Sequence, residues 1–373
     1  MNISDPYGVL VARIQMGFYP PGSRLPAERE LAAELSVHRH TIRSVVARLS
    51  ADGLVECERY RRPVVRRTMG IADGWKTVAL LMGNEAPFKP FHLVIRGCEP
   101  VLRADGYRLV FMDTWGHLDE ATREREHAAL QSLIDHPVAG AILWCQAPET
   151  SAELVTELQR RGMPIVAIDR EIPGVALDYV GVDNAHAAAK AVKHLVDSGH
   201  RRIGFVAGAQ DRVSTVVDRR RGYDETLAKH GFPHGPELFY GVRADRVQSA
   251  TAHVARRLLA EPHRPTALFV VNDFYALYLM RAIRDVGLRV PEDVAVVGFD
   301  DIETLVAAEP VLTTVRQPFE EIGRKAASLL VERMRSPDAP YRHVELETAV
   351  LVRASTDTTN LPAPSEYAPV TIT

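Results

Sequence analysis

The apolar residues of this chain change period once. Up to about residue 51 they recur at helical spacing, and beyond about residue 76 they come in continuous runs separated by amphipathic segments. The first part predicts three helices and a hairpin. A helix opens at Asp5-Pro6 and continues to about Met16, with Val9 and Ile14 on its apolar face, and Gly17 and Pro20-Pro21-Gly22 end it. Pro26 marks the start of a second, in which Glu28-Arg29-Glu30-Leu31 leads on to about Leu35. A third, from about His38 to Ala51, carries Ile42, Val45, Val46 and Leu49 at i, i+3, i+4 and i+7, which makes one buried stripe. Asp52-Gly53 stops it. Leu54 to Glu58 then alternates like a strand, Arg59-Tyr60-Arg61-Arg62 forms a basic tip, and Pro63-Val64-Val65 returns.

The second part repeats strand and helix. Its apolar runs are Val78–Met82, Leu109–Met112, Gly140–Trp144, Ile165–Ile168, Ile203–Val206, Ala267–Val271 and Val294–Val297. Runs of this kind suit strands covered on both faces of a parallel sheet, and seven of them fit two doubly wound α/β units better than one. The expected division is a small helical domain over 1–67, a linker over 68–75, an α/β domain over 76–360 and a disordered Pro/Ser/Thr tail over 361–373.

Charge sharpens this division. Residues 1–67 hold eleven arginines, no lysine and seven carboxylates, a net +4, whereas the remainder holds 34 basic and 41 acidic residues, a net −7. An anionic polymer would therefore bind at the N-terminal end. No run of about 18 apolar residues is present and the N-terminus lacks a basic-then-apolar leader, so a cytoplasmic protein with no membrane partner is expected. Cys57, Cys98 and Cys145 show no metal spacing and are expected to be buried thiols. No metal or cofactor is expected, because the sequence has neither a GxxxxGK[ST] loop nor enough glycines after a strand for a dinucleotide fingerprint.

The third helix begins with Arg39, His40, Thr41 and Arg43, beside its apolar stripe. A helix entering the major groove meets base edges with its first residues, and Arg presents the donor pair that guanine accepts. Arg29 on the preceding helix and the tip at Arg59 are candidates for phosphate or minor-groove contact. Solvated charge on a small helical domain is the alternative. The segments Pro21–Ala32, Val37–Arg43 and Leu49–Val55 resemble the winged helix-turn-helix of the GntR family. That resemblance implies base and phosphate contact by Arg29, Arg39, Thr41 and Arg43 and a wing entering the minor groove. Two positions depart from the family: His38 and His40 replace small hydroxyl residues, and the wing lacks a Gly-rich turn.

In the second part polar residues recur just after strands, as Asp169-Arg170, Asn272-Asp273 and Asp300-Asp301. Ligands of open parallel sheets bind at the carboxyl ends of strands, and a mixture of Asp, Asn and Arg suits a guest with many hydroxyls. Phe91 is a candidate to pack on an apolar sugar face. Helix capping is the alternative for each carboxylate and amide taken singly. Val180–Asn184, Ser198–Phe205, Arg219 with Gly222-Tyr223, Val271–Asp273, Gly287–Asp301 and Leu312–Pro318 resemble the effector domain of the LacI/GalR regulators. The resemblance implies a two-lobed periplasmic-binding-protein-like fold with three crossovers. It also implies effector contact by Phe91, Asp169, Arg170, Arg219, Asn272, Asp273, Asp300 and Gln317. His194, His200 and Arg201-Arg202 read as a helix end and turn.

These features point to a non-enzymatic transcription regulator similar to the arabinose-responsive repressors, with duplex DNA and a small polar effector such as a sugar as partners, acting as a homodimer. A winged helix fused to an aminotransferase-like domain needs a longer second part and a suitably placed lysine. A transport receptor leaves residues 1–67 unexplained.

Overall fold

The computed structural model of the chain describes residues 6–15, 19, 22–35, 37–51, 54–57, 62–65, 77–83, 90–114, 120–208, 213–243, 246–302 and 310–357. Its N-terminal part comprises α1 (Pro6–Gln15), α2 (Glu28–Glu34), α3 (Arg39–Ala51) and the antiparallel pair β1 (Val55–Glu56) and β2 (Val64–Val65). The expected stripe on α3 is buried, and Ile42 and Leu49 have no exposed surface. Leu10 and Ile14 of α1, Leu31 of α2 and Val65 of β2 belong to the same core. Each such side chain removed from water contributes about 1.5–3 kcal/mol. At the start of α2 the Glu30 carboxylate accepts a hydrogen bond from the Ala27 N–H at 2.8 Å, satisfying a donor near the first turn. The Arg48 guanidinium lies 3.8 Å over the Tyr7 ring and ties α3 to α1. The wing tip at Arg59, the linker 68–75 and the tail 361–373 fall outside the described residues.

The chain divides into two compact units, Met1–Asn84 with Phe91–Val180 and Phe319–Val344, and Glu85–Pro90 with Gly181–Pro318 and Glu345–Thr373. Within the first lies a six-stranded sheet of β3 (Thr77–Met82), β4 (Arg108–Asp113), β5 (Gly140–Leu143), β6 (Ile165–Ile168), β7 (Asp178–Val182) and β13 (His343–Leu346). Its order is β13-β7-β6-β5-β3-β4, with the pairs from β7 to β4 parallel. Helices α4 (Phe91–Ala104), α5 (Glu120–Asp135), α6 (Pro148–Arg160) and α11 (Phe319–Arg335) complete it. The second unit holds β8 (Ile203–Gly208), β9 (Phe239–Val242), β10 (Ala267–Val270), β11 (Ala295–Asp300), β12 (Thr313–Arg316) and β14 (Ala349–Leu351) in the order β14-β12-β11-β10-β8-β9. All its pairs are parallel except β12 with β14. Its helices are α7 (Asn184–Asp197), α8 (Ser214–Lys229), α9 (Val247–Ala260) and α10 (Asp273–Asp285). In each sheet the strand order reverses beside the first strand, β3 or β8, which places a switch point at β3/β5 and at β8/β10.

A buried ion pair ties the start of β7 to α11 in the first unit. Asp178 opens β7 and accepts from Arg333 Nε at 2.9 Å and Nη2 at 3.2 Å, and from the Arg342 amide at 2.9 Å. Arg333 also donates to the carbonyls of Pro337, Ala339 and Pro340, so both charges are well supplied with partners.

Two expectations are corrected. The run at Leu109–Met112 forms β4, an edge strand whose Val110 is 46% exposed, so it is not covered on both faces. Cys57 lies exposed beside the wing, whereas Cys98 and Cys145 are buried. Burial pushes the Cys98 thiol up to about 12, which keeps it inert at neutral pH.

Candidate functional site

Three groups of candidate side chains emerge. The first is the opening turn of α3. Ile42 is sunk in the core, and this orientation leaves Arg39, His40 and Arg43 exposed and Thr41 half-exposed on the other side. The Arg39 and Arg43 side chains are each 63% exposed. Arg29 on α2 is exposed as well. The arginines of α3 converge on Glu28. Arg39 Nε donates to it at 2.9 Å, and Arg43 donates through Nε at 3.2 Å and Nη2 at 3.0 Å. The bonds from Arg43, joined by that from Arg39, hold the Glu28 carboxyl below the usual carboxylate range.

The second group gathers at the carboxyl ends of β5 and β6. Asp169 is buried and adopts φ 63°, and its carbonyl accepts from the Tyr179 hydroxyl at 2.9 Å. The next residue, Arg170, reaches back over the end of β5, where Nη1 donates to the Cys145 carbonyl at 3.3 Å and to Gln146 Oε1 at 3.2 Å. The backbone it uses is fixed by Glu126, a fully buried carboxylate on α5. Glu126 accepts from the amides of Gln146 and Ala147, from the Ser151 hydroxyl and from the Cys145 thiol. Ala147, which caps α6, and Ser151 in its first turn are two of these donors, so the carboxylate lies at the end of a helix whose dipole favours an anion. Trp144, just past β5, stacks on Phe319 with ring centroids 5.7 Å apart. Phe91, the first residue of α4, packs at 5.5 Å from Phe111 of β4.

The third group lies at the carboxyl ends of β8, β10 and β11. Arg219 is almost wholly buried on α8. It donates from Nε to Asn184 Oδ1 at 2.9 Å and from Nη1 to the Val271 carbonyl at 2.7 Å. Its guanidinium carbon stands 3.6 Å over the Phe299 ring, and Nη2 is 3.7 Å from Asp300 Oδ1. Gly222, one turn along α8, lets α8 lie close against α7, which carries Asn184, because a Cβ there would stand 2.1 Å from the Ala185 carbonyl oxygen. Gln317 Nε2 donates to Asp300 Oδ1 at 2.9 Å. Asp300 and its neighbour Asp301 both hold positive φ, 111° and 63°. Asp301 is pinned by Arg316 at 2.7 Å and Arg353 at 2.6 Å.

The non-glycine residues with positive φ among those described are Asp169, Asp300 and Asp301, all at strand ends where effector contact was expected. Backbone strain of this kind costs about 1–3 kcal/mol per residue and gathers at functional sites.

Other expected contacts have different places. Asn272 caps α10, its Oδ1 accepting from the Tyr275 amide at 3.0 Å, so capping describes this side-chain oxygen. Asp273 has no exposed surface. Its Oδ2 accepts from the Ile302 amide at 3.0 Å and its Oδ1 lies 2.6 Å from Thr314 Oγ1, so it braces the turn that carries Asp300. Burial, with Asp300 nearby, raises its pKa well above the ordinary carboxylate value. His194 bonds Thr356 at 2.8 Å and His200 bonds Thr266 at 2.9 Å, while Arg201 donates to the Val196 carbonyl at the end of α7. Desolvation lowers both histidine pKa values. Asn184, Trp144 and Gln146 were not singled out in the sequence. Applying the strand-end rule to β5 finds the last two.

An exposed arginine pair on the third helix of a winged helix, joined to two doubly wound units with polar groups at their strand ends, is the build of a ligand-responsive transcription regulator. Residues 7–65 match the bacterial regulatory proteins of the gntR family, and residues 192–356 match the periplasmic binding protein-like domain. The arabinose metabolism transcriptional repressor of Geobacillus stearothermophilus is 29% identical over 341 residues, which is 87% of this chain and 88% of the relative. The transcriptional repressor PurR of Aliivibrio fischeri (strain MJ11) is 31% identical over 284 residues, 75% of this chain and 81% of the relative. Among solved structures, the transcriptional regulator CelR–cellobiose complex superposes with a TM-score of 0.64 at 28% identity, over 89% of this chain and all of the other. The chain belongs to the LacI/GalR-type family of helix-turn-helix transcriptional repressors, with a gntR-type DNA-binding domain at its N-terminus. Among the described residues no helix is long and apolar enough to cross a membrane.

Proposed function

We propose that this chain is a non-enzymatic, cytoplasmic repressor that binds operator DNA as a homodimer and is controlled by a small polyhydroxylated effector of the sugar class. The observation that carries the effector reading is the same in both α/β units: a strained aspartate stands beside an arginine at the carboxyl end of the sheet, Asp169 with Arg170 and Asp300 with Arg219. Carboxylates accept and guanidinium groups donate, which suits hydroxyls that do both, and charged partners make the stronger bonds. Relatives named for arabinose metabolism and for the ribose operon, and the CelR complex with cellobiose, support the sugar class.

Phe91, Asp169, Arg170, Arg219, Asn272, Asp300 and Gln317 are the proposed effector contacts, joined by Gln146 and Trp144. Asp273 supports Asp300 from behind. Arg39, His40, Thr41 and Arg43 read the major groove, and Arg29 and Arg59 contact the backbone or minor groove. The effector acts by its differential affinity for the arrangements of the chain that fit and do not fit two operator half-sites.

Gel shifts with the chain's own promoter fragment, with and without a panel of pentoses, hexoses and disaccharides, test this. Indifference to every sugar and every fragment would count decisively against it. Arg39→Ala should weaken operator binding by about 1–3 kcal/mol and leave effector binding intact. Arg219→Ala and Asp300→Ala should abolish the effector response with operator affinity retained.

A further inference from the structure

We infer that Glu28 is a specificity-determining residue of the DNA-binding domain, whose carboxylate clasps Arg39 and Arg43 into one oriented donor set. The inference rests on the reading of α3 as the recognition helix. Glu28 opens α2 and is separated from its partners by 11 and 15 positions, so it stands on a different element from the arginines it holds. Arg43 meets it side-on through Nε and Nη2, and Arg39 through Nε alone. A guanidinium has five N–H donors in a planar fork. Side-on capture fixes the plane of the Arg43 fork and leaves Nη1 and the second N–H of Nη2 facing outward. This end-on edge matches the O6/N7 pair of guanine.

The clasp also changes charge. Two guanidinium groups with one carboxylate present a net +1 where the arginines alone would present +2. Affinity for phosphates, which is independent of sequence, scales with the positive charge brought to the duplex. The carboxylate therefore weakens attachment to arbitrary DNA while it preserves hydrogen-bonding geometry for the correct bases. A flexible, unclasped arginine bonds any phosphate within reach; a clasped one is presented in one orientation. Glu28 thus acts against the wrong sequences more than it acts for the right one.

The test uses full-length protein, a duplex that the wild-type chain selects from a random pool, and a scrambled duplex of equal length. Glu28→Gln keeps the side-chain length and removes the charge. Its binding to the scrambled duplex should tighten, with the slope of log K against log salt steepened by about 0.9. The selected-to-scrambled ratio should fall about tenfold. With Arg39 and Arg43 both replaced by Ala, the same substitution should leave the ratio unchanged, which a general effect on α2 stability would not produce. A Glu28→Gln protein that keeps the wild-type ratio and slope overturns the clasp. A wild-type chain that selects no duplex overturns instead the recognition helix on which it rests. Should thermal melting show Glu28→Gln to be unfolded, Glu28→Asp carries the comparison. It keeps the charge but is one methylene too short to hold both arginines, so the ratio should fall with no change in salt slope, and an unchanged ratio again overturns the clasp.

Discussion

Asp273 lies at the first position of α10 with no exposed surface, directly against Gly298, where a Cβ would come within 2.1 Å of its Oδ1. A carboxyl enclosed in this way, with Asp300 close by, favours its neutral form. Its Oδ1 accepts from the Thr314 hydroxyl and its Oδ2 from the Ile302 amide, which uses both oxygens. Asn can accept from the Ile302 amide and donate its Nδ2 hydrogen to the Thr314 hydroxyl oxygen, with no charge. Asp273→Asn is therefore expected to stay within about 1 kcal/mol of the parent in stability, whereas Asp273→Ala strands a buried amide and hydroxyl and should lose about 1–3 kcal/mol. The sign with pH follows from the raised pKa. The folded state holds the proton more tightly than the unfolded state, so the acid's contribution is complete below the unfolded value near 3.8 and is lost as pH rises through the folded value. Urea midpoints measured from pH 4 to pH 7 should fall for the parent relative to Asp273→Asn. Parallel curves would show that the carboxyl is ionised throughout.

At the scale of elements, what could be read from the sequence depended on how many faces of a strand are covered. β3, β5, β6, β8, β10 and β11 lie inside their sheets, so both faces are apolar and each appears as an uninterrupted run. β9, β13 and β14 border the sheets and mix exposed with partly or fully buried residues, which gives no run to recognise. β7 is interior yet shows no apolar run of its own and enters only through the resemblance carried by Val180–Asn184; it opens on Asp178, and the partner that makes this charge tolerable, Arg333, lies 155 residues away. β12 was visible only through the family resemblance, since its buried Thr313 and Thr314 look polar. Of the proposed effector groups, Asp169, Arg170 and Asp300 follow from their place after a strand. Arg219 sits on a helix and had no local signal. Asp178 itself gives a prediction. Removing one member of a buried pair leaves the other uncompensated, so Asp178→Ala should cost about 3–5 kcal/mol in denaturant unfolding. A loss below 1 kcal/mol would mean that water reaches Arg333.

The whole molecule joins a basic domain of net +4 to an acidic remainder of net −7. This charge balance favours electrostatic attachment of DNA at the N-terminal domain, while the proposed effector groups lie elsewhere in the chain. Control then rests on linkage between two ligands. If the effector weakens operator binding by some factor, the operator weakens effector binding by the same factor, because both are read from one thermodynamic cycle. An effector at a hundred times its Kd should stabilise the chain against unfolding by about 2.7 kcal/mol, visible as a raised melting temperature. Titrating that effector in the presence and absence of saturating operator should then give a ratio of Kd values equal to the ratio of operator affinities with and without effector. Arg39→Ala should keep the thermal stabilisation while losing the operator end of the cycle, and Arg219→Ala should lose the stabilisation while still binding operator. An effector that stabilises the wild-type chain yet leaves both affinities untouched would separate ligand binding from DNA control, and the regulatory reading would fall with it.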